Sequence, residues 1–186
     1  MQELTRVSEY TIVDQDAVVA GKAMLGLIKC LNHENIQPVL AAHNLETIDP
    51  TEWYPMQTWM SVLRDIDEQS SGMLDLVSVG MAMMDQINWP PEFYQKDFMH
   101  ILLHMNDAYQ MNHRGDVGGY LSEVVDDHYV IVDVNVPYPD NLVYGAYYAK
   151  CRRFLPEGSS FDLRFDEDQP IRSQGGVVTL LHVRWS

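Results

Sequence analysis

The sequence predicts an α+β protein, with a helical N-terminal half followed by a ββαββ half that forms an antiparallel sheet. Two observations lead to this prediction. Before about residue 113 the apolar residues recur at helical spacing, and after it they form β-rich runs and one strictly alternating segment. The 186 residues fit one domain. We divide it into an N-terminal segment (1–16), a helical part (17–113) and a sheet part (114–186).

The N-terminal segment contains a β-like run at residues 10–13, after which the first helix is expected near Asp16, whose carboxylate can cap the first turn. A second helix is predicted around residues 36–45. Asp49 and Pro50 resemble a helix start, but Pro55 indicates that the regular helix begins only there.

Two further helices complete this half. One is predicted to start around residues 70–72. The longest is predicted to begin at Trp89 and to continue through Tyr109, ending before residues 112–115. These helices and the one after Pro55 are rich in methionine, which is a flexible and polarizable side chain that adapts to irregular spaces.

The sheet part opens with two β-rich runs, residues 120–125 and 129–136, joined by a turn signal at 126–128. Asp140 is expected to cap a helix that the Pro156-Glu157-Gly158 segment ends. Apolar and charged residues alternate strictly over 161–166, which predicts a strand with one buried face, and residues 177–185 form the last strand.

Composition excludes several classes of protein. The formal net charge of −15 repels phosphate backbones and anionic lipid surfaces, so we expect neither nucleic-acid nor membrane binding. No apolar run approaches the roughly 20 residues that span a bilayer, and the N-terminus lacks a signal-peptide pattern. Two cysteines far apart in the sequence indicate free thiols and a cytoplasmic protein.

No complete catalytic constellation is present in the sequence. There is no Gly-x-Ser-x-Gly elbow, and neither cysteine has a histidine beside it. His100 and His104 lie four residues apart and could hold zinc. However, Ile101 stands where catalytic zinc sites have glutamate, and only Asp97 and Asp107 are nearby as further ligands. Two ordinary histidines are the alternative interpretation, and we expect no metal site and no enzyme.

The methionines and aromatic residues predict a ligand pocket between the helices and the sheet, in which apolar stripes from several elements meet. The alternative is that these side chains only fill the core. The candidate ligand-binding residues are Met60, Met83, His104, Met105, Tyr144 and Tyr147.

The order of elements resembles the superfamily of haem–nitric-oxide binding (H-NOX) domains and 4-vinyl-reductase-type sensor domains, over residues 18–185. Residues 21–31 resemble the family's opening helix, and residues 142–155, with their Arg-Arg-Phe ending, are the most family-like. The resemblance implies a sensor that holds a small, mostly apolar molecule. Haem-binding members use a histidine on the long helix and a Tyr-x-Ser-x-Arg motif for the propionates. Here Tyr120 and Ser122 match, but Val124 stands where the arginine is required and the run lies on a different strand from the family's motif. Asn106 aligns near the iron ligand, with His104 two residues away.

Several functions therefore remain open. The leading hypothesis is a non-catalytic sensor or carrier of a small hydrophobic ligand or tetrapyrrole, with the cofactor unknown and haem not favoured. The alternatives are an adaptor that binds a protein and no ligand, a haem-based gas sensor using His104, and a tetrapyrrole-processing enzyme. Because no output module is present, a protein partner is expected in signalling. A homodimer through residues 10–13 or a sheet edge is a further hypothesis, unless that run pairs within its own chain.

Overall fold

The computed structural model describes residues 6–31, 33–69, 75–86 and 91–186. Within them, the helices are α1 (Gly21–Ile28), α2 (His33–Ala42), α3 (Met56–Gln69), α4 (Leu76–Gln86), α5 (Phe98–Leu103), α6 (Met105–Gln110) and α7 (Asp140–Phe154). The strands are β1 (Val18–Ala20), β2 (Trp53–Pro55), β3 (His113–Arg114), β4 (Gly119–Asp126), β5 (Tyr129–Asn135), β6 (Phe161–Phe165) and β7 (Thr179–Trp185). This arrangement confirms the predicted α+β class. None of the described helices is long and apolar enough to cross a membrane.

The C-terminal half is a four-stranded antiparallel sheet in the order β4-β5-β7-β6, with α7 packed on it. The predicted hairpin is confirmed, since Leu121 pairs with Asp133 and Glu123 pairs with Ile131. The Tyr144 hydroxyl of α7 donates a hydrogen bond to the Leu163 carbonyl of β6 at 2.8 Å. The alternation over residues 161–166 places Leu163 in the core.

The N-terminal half contains a small sheet that the sequence did not indicate, in the order β2-β1-β3. The prediction that the first helix starts near Asp16 is therefore wrong, because β1 comes first and α1 begins only at Gly21. The β-like run at residues 10–13 is also not a strand. Tyr10 has a φ of 59°, and its N–H donates to the Pro137 carbonyl at 2.7 Å, so the segment folds against its own chain.

The long helix predicted from Trp89 is interrupted. Its expected start, like the helix start at 70–72, lies outside the described residues, and Pro91–Gln95 forms a 3-10 turn. The Asp97 carboxylate accepts the His100 N–H at 2.7 Å and thereby caps α5. At His104 the backbone leaves the helical region, with φ −100° and ψ 13°, which separates α5 from α6.

Helices α4 and α7 cross at close range because each has glycine at the contact. A Cβ atom on Gly80 would collide with the Leu142 carbonyl oxygen, and one on Gly145 with the Val77 carbonyl oxygen. Helix α7 is therefore enclosed by α4 on one side and the sheet on another, and buried residues occur almost all round it.

Asp140 does not cap α7 as predicted, because its carboxylate is used elsewhere. It is fully buried, is paired with the Arg172 guanidinium, and accepts the Thr179 hydroxyl at 2.6 Å. Arg172 also donates to the carbonyls of Val7 at 3.1 Å and Val136 at 2.5 Å. This network ties the N-terminal segment to the sheet part.

Candidate functional site

A chain of aromatic side chains joins the helical part to the sheet. We call Tyr109, His113, Tyr120, Tyr138 and Tyr147 the aromatic column. The Tyr109 ring stacks on His113 at 4.0 Å between centroids and meets the edge of Tyr120 at 5.4 Å. Tyr120 in turn meets Tyr147 of α7 at 5.9 Å, and Tyr138 lies 6.3 Å from Tyr109. The column occupies the space between α6, β4 and α7.

Most polar atoms of the column have partners inside the protein. His113 Nδ1 lies 2.7 Å from the Tyr109 carbonyl and therefore carries the hydrogen, which leaves Nε2 to accept from the Tyr138 hydroxyl at 3.0 Å. Burial lowers the pKa of His113 to about 4, so the ring is neutral at pH 7. The Tyr109 hydroxyl donates to the Val117 carbonyl at 3.0 Å.

The end of the column at α7 differs, because it combines a hydroxyl without a partner among the described residues with a buried lysine. The Tyr147 side chain is fully buried, and its hydroxyl has no hydrogen-bond partner among the described residues. One turn further along α7, the Lys150 ammonium lies 4.1 Å from the centre of the Tyr147 ring. Lys150 is only 3% exposed. No ion pair joins it to a carboxylate in the described part of the chain.

Burial changes the acid–base properties of this end of the column. It lowers the pKa of Lys150 to about 7, because the charged ammonium is removed from water without a compensating anion. Burial also raises the pKa of the neighbouring Cys151 thiol to about 12 and that of Tyr147 well above its ordinary value, so both stay neutral. The result is a buried amine and a buried hydroxyl side by side, surrounded by neutral groups.

The structure brings most of the predicted ligand-binding residues into one hydrophobic cluster. Met60, Met105 and Tyr147 are buried in it, and Met83 and Tyr144 pack against it half-buried. His104 is half-buried and stacks on His100 at 3.9 Å.

His104 is also held by its own helix. Its Nδ1 donates to the His100 carbonyl at 2.9 Å, so Nε2 is the nitrogen that could bind a metal or cofactor. Among the described residues no group of three histidine, cysteine or acidic side chains is placed to hold a metal ion.

Two concave regions differ strongly in character. An apolar cavity of about 10 Å³ lies between α1, α3, α4 and the start of α7, lined by residues that include Leu27, Leu63 and Leu142. It is at the lower limit for a single water. An open cleft of about 490 Å³ lies along residues 165–171 at the surface and contains Asp166, Glu167 and Asp168. A ligand of ordinary size would therefore have to displace side chains to enter the core.

Sequence reasoning selected Tyr147 but missed Lys150 and the rest of the aromatic column. Lys150 follows Tyr147-Tyr148-Ala149 and precedes Cys151 in the printed sequence. The available signal was that this lysine shares a helical face with Tyr147, which had been assigned to the pocket.

No family model and no curated protein sequence matches the chain. Solved structures of H-NOX domains match its fold. An oxygen-binding H-NOX domain related to soluble guanylate cyclases, in its oxygen complex, superposes with a TM-score of 0.64 at 11% identity, covering 89% of this chain and 92% of that one. An H-NOX protein from S. oneidensis in the Fe(II)NO state gives 0.65 at 9% identity, covering 90% and 99%. A mutant of T. tengcongensis H-NOX gives 0.63 at 11% identity, covering 89% and 94%.

The chain therefore has an H-NOX-like fold over about nine tenths of its length, as the order of its elements had indicated.

Proposed function

We propose that this chain is a non-catalytic sensor or carrier domain that holds a small hydrophobic molecule between its helices and its sheet, beside Tyr147. The observation that carries the proposal is the fully buried Tyr147 hydroxyl, which has no hydrogen-bond partner in the described part of the chain. An unsatisfied buried hydroxyl costs about 1–3 kcal/mol, and a ligand that offers an acceptor atom would remove this cost. Its position on the inward face of α7, next to the sheet, is where an enclosed ligand would contact both halves of the fold.

The remaining candidate residues differ in the role that the proposal gives them. Met60, Met83 and Met105 supply adaptable walls, because a thioether side chain can change rotamer to admit a ligand. Tyr144 and His104 are less suited to be its polar handle, because each already donates a hydrogen bond to a backbone carbonyl. Tyr147 is the candidate whose polar atom is fully buried and has no partner among the described residues.

Haem, the group whose redox potential is modulated in another similar solved structure, does not fit the residues of this chain. Asn106, aligned near the iron ligand, uses its side-chain oxygen to accept the Tyr120 N–H at 3.1 Å. The Ser122 hydroxyl donates to the Leu102 carbonyl at 3.2 Å. Val124, at the place of the motif's arginine, is 49% exposed. Two propionates would find no free cation there.

These contacts also bring β4 directly against α5 and α6, and the aromatic column occupies the space behind them. The ligand of the proposal is therefore smaller than a macrocycle, and His104 is not required to bind it.

The proposal is tested by the ligand content of the purified protein. The protein is isolated from its own host under native conditions, and its mass is measured before and after organic extraction. We expect close to one apolar molecule per chain, and we expect Tyr147→Phe to lose it while folding normally. Tyr144→Phe is the matched control, since it removes a hydroxyl bonded within the protein. Equal ligand content in both variants, or no ligand in the native protein, would contradict the proposal.

Ala146→Phe would not be a suitable variant for filling a ligand site on the inward face of α7. Ala146 packs with Met84 of α4, and its backbone nitrogen lies close to Gly80 at the helix crossing. A phenylalanine there would separate α4 from α7 instead of filling a ligand site.

A second candidate function, a protein-binding adaptor, is favoured by the surface of β4. Leu121, Val124 and Val125 are 43–49% exposed on this edge strand, and Leu103 of α5 is 41% exposed. An edge strand with apolar side chains can pair with a strand of another chain. Val124→Lys should then abolish partner binding without changing ligand content. Light scattering distinguishes a second copy of this chain, which doubles the mass, from a different partner.

A further inference from the structure

Lys150 indicates the chemical class of the ligand. This inference rests on the proposed function. We infer that the core site recognises an apolar molecule bearing a carboxylate, with the Lys150 ammonium and the Tyr147 hydroxyl as its two donors. Both groups are at least nine-tenths buried, both belong to one face of α7, and the ammonium lies 4.1 Å from the tyrosine ring. Among the described residues the Tyr147 hydroxyl has no hydrogen-bond partner, and no carboxylate forms an ion pair with Lys150.

The groups that face Lys150 do not neutralise it. From α7 these are Tyr147 and the Cys151 thiol, both neutral at pH 7 because burial raises their pKa values. Tyr120 of β4, which meets the edge of the Tyr147 ring, is also neutral, because burial raises its pKa. The acidic group of the core, Asp140, is already paired with Arg172. Within the part of the chain that the structure describes, no side chain supplies Lys150 with a counter-ion, and a carboxylate from outside would favour the charged form of this amine.

The donor set selects among ligand classes. An ammonium and a hydroxyl offer hydrogens to two acceptor oxygens, and the single charge of a carboxylate balances the single charge of Lys150. A phosphate would bring more negative charge than one lysine offsets, and a cation would be repelled. An alcohol would satisfy the Tyr147 hydroxyl but leave the ammonium unpaired. Because the surrounding side chains are apolar, the remainder of the molecule must be apolar as well.

The test compares two probes that differ only in the headgroup, octanoate and 1-octanol, on protein stripped of bound molecules with a hydrophobic resin. Titration calorimetry should show that the native protein binds octanoate at least about tenfold more tightly than octanol. Lys150→Met should lose this preference, with octanoate weakened at least about tenfold and octanol unchanged or tighter. Lys22→Met, which removes an exposed lysine of α1, is the control and should behave as the native protein.

A second measurement needs no variant. Pairing with a carboxylate favours the charged amine, so octanoate binding by the native protein should weaken between pH 6 and pH 9 while octanol binding stays constant. Equal affinity for the two probes, at every pH and in Lys150→Met, would overturn the recognition of an acid and leave the proposed ligand site intact. Binding of neither probe, together with equal ligand content in the Tyr147→Phe and Tyr144→Phe proteins, would overturn the proposed function as well.

Discussion

Replacing Lys150 with methionine should make the protein more stable at neutral pH, which is unusual for a change in a buried residue. Methionine keeps the unbranched shape of the lysine stem and removes the amine. The amine has a pKa of about 7 in the folded protein against an ordinary value of 10.5. In the unfolded chain it binds its proton below about pH 10.5, whereas the folded protein takes up that proton only below about pH 7.

The sign and size of the effect follow from this difference. Between these two pH values the unfolded state holds more protons, so the native protein loses stability as the pH falls. The penalty is absent above the unfolded pKa and reaches about 4 kcal/mol at pH 7 and about 2 kcal/mol at pH 9, at 1.36 kcal/mol per pKa unit. Lys150→Met should therefore exceed the native protein in unfolding free energy by about these amounts.

Urea unfolding of both proteins at pH 7, 8 and 9 tests the prediction. In the difference between their unfolding free energies, the pH dependence of the titratable groups that they share cancels. Lys22→Met should stay within about 0.5 kcal/mol of the native protein at each pH, since this lysine is exposed. Parallel stability curves for the native protein and Lys150→Met would refute the reasoning, because they would mean that Lys150 is equally protonated in both states. Added octanoate should raise the stability of the native protein more than that of the variant.

Three further predictions concern the groups around this site. Arg172→Met should destabilise the protein by about 3–5 kcal/mol in urea unfolding, because it leaves the Asp140 carboxylate buried and unpaired, whereas exposed Arg164→Met should change little. Burial of neutral His113 should cost the native protein about 2 kcal/mol of stability between pH 7 and pH 5, as the unfolded chain takes up a proton first, and His113→Gln should lose this dependence. Haem titration should give no stoichiometric Soret band that disappears in His104→Ala; such a band would make the haem sensor the leading hypothesis.

The local sequence pattern was sufficient to predict elements that are specified by residues close to one another in the sequence. The β4–β5 hairpin was predicted from two β-rich runs and the turn at residues 126–128, because alternate side chains in both strands face the same core. Helix α7 was predicted to end before residues 156–158, and it does. Both elements are specified by neighbouring residues, so the sequence contains their signal.

Local pattern failed where a distant partner decided the conformation. Residues 18–20 are apolar, which suits a helix as well as a strand, and they form β1 because Val19 pairs with Tyr54 and His113. The break at His104 has a similar origin. The Leu102 carbonyl, in the last turn of α5, accepts the Ser122 hydroxyl of β4 in addition to the His104 N–H of its own segment. The sequence of the helix itself contains no pattern that would indicate this contact with a distant strand.

The candidate site could be predicted only in part for the same physical reason. A lysine in the segment Tyr147-Tyr148-Ala149-Lys150 is ordinarily expected at a helix surface, with its ammonium in water. Two glycines, Gly80 and Gly145, let α4 approach α7 at backbone distance while the sheet covers another side, and an enclosed helix leaves its lysine little access to solvent. The unpaired cation is thus a consequence of how the helices cross. Because the fold keeps this amine buried at a cost in stability, an external anion that binds only the folded state would recover that cost, and this coupling would connect ligand occupancy to the packing of α7 between the two halves.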